Sequence, residues 1–153
     1  MQTDQVHDSL GTAAREVLET MFFTTLEDRT PPPQWSGPAM VVTIDFTGRQ
    51  SGRFQLQLLE SYARILAANF SGAEDPAELN SETTSEVIRE MANMVCGDTL
   101  SRLSPLAIFS LGEPRISRSS EAMAGQDHNR QQMRWLDSGE GLIGIQLEWE
   151  DAH

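Results

Sequence analysis

The chain has 153 residues, 23 of them acidic and 11 basic, for a formal charge of −12. That balance repels phosphate backbones and anionic lipid, which argues against nucleic acid and membrane surfaces as partners. A hydrophobic content of 39% suits one ordinary core, so a single domain over residues 1–153 is expected to fold without disulfide or metal staples.

The opening MQTDQVHDSL lacks a basic segment followed by an apolar one, and no run approaches the ~18 apolar residues of a membrane span, so a cytoplasmic protein is expected. Ala13, Val17, Leu18, Met21, Phe22 and Leu26 recur at helical spacing, predicting a helix capped by Asp8 or Ser9 that runs to about Asp28. Pro31, Pro32 and Pro33 would end it.

From Met40 to Phe46 the apolar residues Met40, Val42, Ile44 and Phe46 alternate with Val41, Thr43 and Asp45, and Phe54, Leu56 and Leu58 alternate likewise beyond the turn TGRQSG, which predicts a hairpin with one buried face. Ser61 to Phe70 reads as a short apolar helix, followed by the breaker-rich SGAEDPAELNSE. A long helix then begins near Thr83.

Past Leu103, PLAIFSLGEPRIS reads as a strand broken at Gly112 to Pro114, and SRSSEAMAGQDHN, which holds His128, reads as a polar loop. A second hairpin closes the chain, its runs joined by the turn DSGEG, with Ile143, Ile145, Leu147 and Trp149 alternating with polar or small residues. Helices and antiparallel hairpins without regular βαβ alternation predict an α+β fold of two layers, long helices packed on one face of an antiparallel sheet.

The long helix carries the distinctive residues. At about 100° per residue, Ile88, Met91, Ala92 and Val95 share one side, predicted to face the core, while Glu86, Glu90, Asn93 and Gly97 lie opposite, facing solvent. Thr83 and Glu86 have the spacing of a capping box, which assigns Glu86 to the helix start and leaves it outside the site.

Glu90 and Asn93, at i and i+3, project side by side and pair an acidic acceptor with a neutral amide. Gly97 continues the stripe with bare backbone that lets a partner approach, and Met94 and Leu100 are expected to flank it as apolar contact edges. The spacing alone is equally that of a solvated helix face and names no reaction.

Cys96, the only cysteine, is expected to be a buried small hydrophobe. His7, His128 and His153 have no metal-ligand spacing, and CxxC, HExxH, Walker and GxSxG patterns are lacking, which argues against self-contained metal or nucleophilic catalysis. A short internal echo sets REVLE (residues 15–19) against REMAN (residues 89–93), consistent with a duplicated helix plus strands and a pseudo-twofold repeat.

The stretch EMANMVCG (residues 90–97) resembles the ExxN-M-x-x-G signature of the CheX/CheC family of chemotaxis phosphatases. The first helix ending in MFF, the hairpin, the short helix with AANFSG and the strand after the motif helix also follow that family's order. The resemblance implies action on the phosphoaspartate of a CheY-like receiver domain that brings its own Mg²⁺, with no cofactor held by this chain. It further implies that Glu90 docks to the receiver through the receiver's active-site lysine and that Asn93 places the attacking water.

Members of the CheC type carry ExxN in both halves, whereas Glu19 stands here where the first-half asparagine would lie, so one functional site is expected, as in CheX-type members. Members of the CheX type can form homodimers through their sheets. The alternative is a non-catalytic adaptor of the same fold, binding a receiver or a flagellar-switch-like partner through the same helix face.

Overall fold

Alternating apolar residues give the sheet one face against helices. In the computed structural model, which describes residues 3–29, 37–119 and 133–150, Met40, Val42, Ile44 and Phe46 of strand β2 (Ala39–Gly48) pair with Leu58, Leu56, Phe54 and Gly52 of β3 (Ser51–Leu59). Leu147 and Ile145 of β7 (Leu142–Glu150) extend the same apolar rows beside Phe54 and Leu56. Three helices cover that face: α1 (Thr3–Met21), α2 (Glu60–Ser71) and α3 (Ser81–Leu103), which join these strand residues in one buried cluster. The fold is α+β, with an open antiparallel sheet.

The remaining strands are β1 (Glu27–Asp28), β4 (Phe109–Leu111), β5 (Arg115–Ser119) and β6 (Arg134–Asp137). Their order across the sheet is β1-β6-β7-β3-β2-β4, with β5 also on β2. This order is symmetric about the β7/β3 seam. The strand following α1 pairs with the hairpin of the second half, and the strands following α3 pair with the hairpin of the first. That exchange relates the two halves of the sheet by an approximate twofold pattern of helix and strands.

Both hairpins form where alternation predicts them, and the break at Gly112 to Pro114 divides β4 from β5 on the same edge of β2. On the face away from the helices, Trp135 and Met133 make a smaller buried cluster with Leu59 and Leu142. The expected polar loop begins later than Ser117, since residues 117–119 belong to β5; its residues 120–129 with His128, Pro31 to Pro33, and His153 lie outside the described residues.

Two helix boundaries differ from expectation. Helix α1 starts at Thr3, five residues before Asp8, because Val6 and Leu10 extend its buried stripe. It ends at Met21 rather than near Asp28: the N–H groups of Phe22 and Thr24 both donate to Leu18 O, at 3.1 and 3.0 Å, and Phe23 adopts φ 54°. The chain leaves the helix through a left-handed residue, with phenylalanine in the place glycine normally takes, and Thr24 N–H reaches back six residues to Leu18 O. The chain so released lets Glu27 and Asp28 pair with β6.

Helix α3 is capped by Asn80, whose side-chain oxygen accepts from Thr83 N–H at 2.7 Å. The helix therefore starts two residues before Thr83, and the expected capping box of Thr83 and Glu86 does not form. An asparagine at the cap satisfies the same orphan donor as a threonine, and the earlier of the two wins here.

Candidate functional site

Helix α3 presents its two faces as the periodicity requires. Ile88, Met91, Ala92 and Val95 are buried, while Glu86 and Glu90 are exposed and Asn93 and Gly97 half-buried. Glu90 and Asn93 make no side-chain hydrogen bond or ion pair among the described residues. Both side chains are therefore open to a partner.

A groove of about 330 Å³ lies beside them, lined by Glu86, Arg89, Glu90, Asn93, Leu111, Gly112, Glu113 and Pro114. One wall is the solvent stripe of α3, and the other is the connection between β4 and β5. Proline cannot donate to a sheet ladder, and Pro114 sits where the two short strands separate. Gly112 N–H, directed to Asp45 O at 2.7 Å, anchors the connection to β2. The break in the edge strand thus builds the second wall.

Glu86 belongs to this groove, not to the helix cap. Freed by Asn80, it stands one turn before Glu90, so the side chain set aside from the site lines it. Arg89 and the residues of the second wall also escaped the sequence reading. The break at residues 112–114 was visible in the sequence, but which helix face it would meet is a property of the tertiary packing.

Gly97 faces the same edge. A methyl group added there would meet only Leu111 Cδ1, at 3.8 Å, an ordinary contact. Neither backbone conformation nor crowding demands glycine at this point. Met94 is half-buried and packs against the core. Leu100 corrects an expectation: at 1% exposure it is a core residue and no contact edge, because it lies on the Met91 to Val95 side of the helix.

On the corresponding surface of the first half the charged side chains are paired. Glu16, at the position of Glu90 in the echo, pairs with Arg102 of α3, which also bonds Asp98 at 3.1 Å. Arg15 is held against Asp28 at 2.9 Å, and Glu19 replaces the asparagine. Of these two helix faces, the second carries, among the described residues, the unpaired acid beside an amide.

Cys96 is fully buried, and burial pushes its thiol pKa up to about 12, so it remains a neutral packing group at ordinary pH. Among the described residues no group of three or more histidine, cysteine, aspartate or glutamate side chains is placed to hold a metal ion, and no helix is long and apolar enough to cross a membrane. A larger hollow of about 540 Å³ between α1 and β7 is lined by Val6, Leu10, Leu147 and Trp149 among others and shares no residue with the groove.

The fold is similar to that of several solved structures. The CheX of Vibrio vulnificus superposes with a TM-score of 0.72 at 20% identity, covering 98% of this chain and 99% of its own. A chemotaxis protein CheX from Desulfovibrio desulfuricans gives 0.72 at 15% identity, over 95% and 99% of the two chains. A structure of the CheX–CheY–BeF3–Mg²⁺ complex from Borrelia burgdorferi gives 0.64 at 14% identity, over 94% and 96%. No curated protein matches. The family model for chemotaxis phosphatase CheX matches residues 40–134, which include β2, β3, α2 and the whole of α3 with its groove, and the chain therefore belongs to the CheX family.

Proposed function

We propose that this chain is a cytoplasmic single-domain phosphatase that removes the phosphoryl group from the phosphoaspartate of a CheY-like receiver domain, using Glu90 and Asn93. The observation that carries the reading is the pair itself: an acid and an amide on adjacent turns, without side-chain partners among the described residues, beside a groove open to another protein. The existence of a CheX–CheY complex for a structural neighbour supports a receiver as the partner.

Phosphoryl transfer through a loose transition state depends on positioning and charge more than on a protein nucleophile. The Asn93 amide can accept from and donate to a water and hold it in line with phosphorus. That water's oxygen forms the new P–O bond as the aspartyl O–P bond breaks, leaving a free aspartate and inorganic phosphate. A neutral amide does this without adding negative charge beside an anionic phosphoryl group. Glu90, one turn earlier, would seat against a cation of the receiver, its active-site lysine. The Mg²⁺ that neutralises phosphoryl oxygens belongs to the receiver, and this chain contributes no ligand to it.

The test is to charge receiver domains with a small phosphodonor and compare wild type with Glu90→Ala and Asn93→Ala for affinity and for turnover. Glu90→Ala should weaken binding about tenfold or more, whereas Asn93→Ala should bind nearly as well as wild type and lose turnover. Equal loss of affinity in both variants would contradict the assigned roles. A homodimer formed through the sheet face is a further expectation of this reading, tested by sedimentation of the free protein.

A further inference from the structure

Leu106 and Ile108 are the most exposed large apolar side chains among the described residues, at 99% and 87%. Both lie in the connection from α3 to β4. Their exposure is built in. Ala107 N–H donates to Ser104 O at 3.1 Å, closing a turn with Pro105 at its second position and Leu106 at its third. Proline there presets the backbone of such a turn. On the other side the Ile108 carbonyl lies so close to Gly48 that a Cβ on that glycine would meet it at 2.7 Å, so the backbone is pinned against β2 as well. A turn held this way would accept polar residues at its tip without loss to the fold, and in a chain of charge −12 the apolar pair stands out.

The position of the turn indicates what covers it. From Ile108 strand β4 runs back along α3, so that Leu111 reaches Gly97 and Gly112 to Pro114 line the groove. Ile108 and Gly112 are four steps of extended chain apart, a distance of at most about 13 Å. A specific interface takes roughly 20–30 residues from each partner, and the groove supplies eight. A globular partner seated on Glu90 and Asn93 must extend beyond the groove, and the apolar turn lies within its reach along the same α3/β4 edge.

We infer that Leu106 and Ile108 are the apolar anchor for the receiver domain whose phosphoaspartate meets Asn93. This rests on the receiver-directed reading of Glu90 and Asn93. It divides the surface into a polar part that reacts and an apolar part that holds, and assigns choice among receivers to the second.

The test is a Leu106→Ser/Ile108→Ser double variant, assayed on phosphorylated receivers beside wild type and Asn93→Ala. The half-saturating concentration should rise about tenfold or more, with the limiting rate and the denaturation midpoint at wild-type values, since neither side chain packs in the core. Unchanged half-saturation with Asn93→Ala inactive overturns the anchor and leaves the phosphatase reading standing. A fall in limiting rate alone overturns it too, as does loss of self-association without loss of receiver affinity, which would give the patch to a second copy. Wild type indistinguishable from Asn93→Ala defeats the phosphatase reading itself, and the anchor with it.

Discussion

Asn93 and Glu90 owe their availability to what surrounds them as much as to their chemistry. The echo residue Glu16 has the same acid on the same kind of helix face, yet Arg102 neutralises it. Leu100 shows the converse, a residue that a sequence stripe assigns to contact and packing assigns to the core. Leu100→Ala should therefore lower unfolding free energy by roughly 2–5 kcal/mol in a denaturant titration and leave receiver affinity at the wild-type value. A loss of affinity without loss of stability would restore it to the binding surface. Glu86 moved in the other direction, since one hydrogen bond from Thr83 N–H to Asn80 removed its capping role and placed it in the groove.

Elements rather than single positions decide how much of this is legible in sequence. Strands with alternating apolar positions, such as β3, β7 and the later part of β2, declare their buried face. The stripe of α3 likewise emerges from 3.6-residue periodicity. Strand β1, two residues long, has no period to read, and the end of α1 lacks the glycine that ordinarily marks a left-handed stop. Phe23 holds φ 54° while 78% exposed, a conformation that costs a bulky L-residue about 1–2 kcal/mol. Phe23→Gly is expected to raise stability by about 1 kcal/mol, read as a higher denaturation midpoint with unchanged slope. A lower midpoint would mean that the ring contributes packing its exposure does not reveal. The groove itself was half legible: its helix wall followed from periodicity, and its second wall depended on which strand edge lies beside α3.

At the scale of the molecule, arginine–carboxylate pairs tie the exchanged edge strand into the fold. Arg134 of β6 donates to Asp28 of β1 at 2.6 Å and to His7 O of α1 at 2.6 Å, and Arg15 of α1 meets the same Asp28. Burial alone would raise the Asp28 pKa, but hydrogen bonds from Arg134 and Arg15 outweigh it and hold the carboxyl below its ordinary value. Asp137 is held low by the Gly139 N–H and by Arg29. For carboxyls lowered by folding, the stabilisation is complete above the unfolded pKa, near 4, and is lost as pH falls through the folded values. Thermal stability should accordingly be flat from neutrality to about pH 5 and decline below 4, with Asp28→Asn flattening part of that decline. An Asp28→Asn protein with an unaltered acid limb would exclude Asp28 as a contributor. Two similar halves form one sheet, and of their two helix faces the second leaves an acid and an amide without partners among the described residues. The most direct test of that conclusion is the decay rate of a phosphorylated receiver domain at saturating protein, wild type against Asn93→Ala. The account predicts faster decay with wild type and a return to the receiver's own rate with Asn93→Ala although the complex still forms. Equal decay with the two proteins, both bound, would contradict it and leave an adaptor on the same helix face.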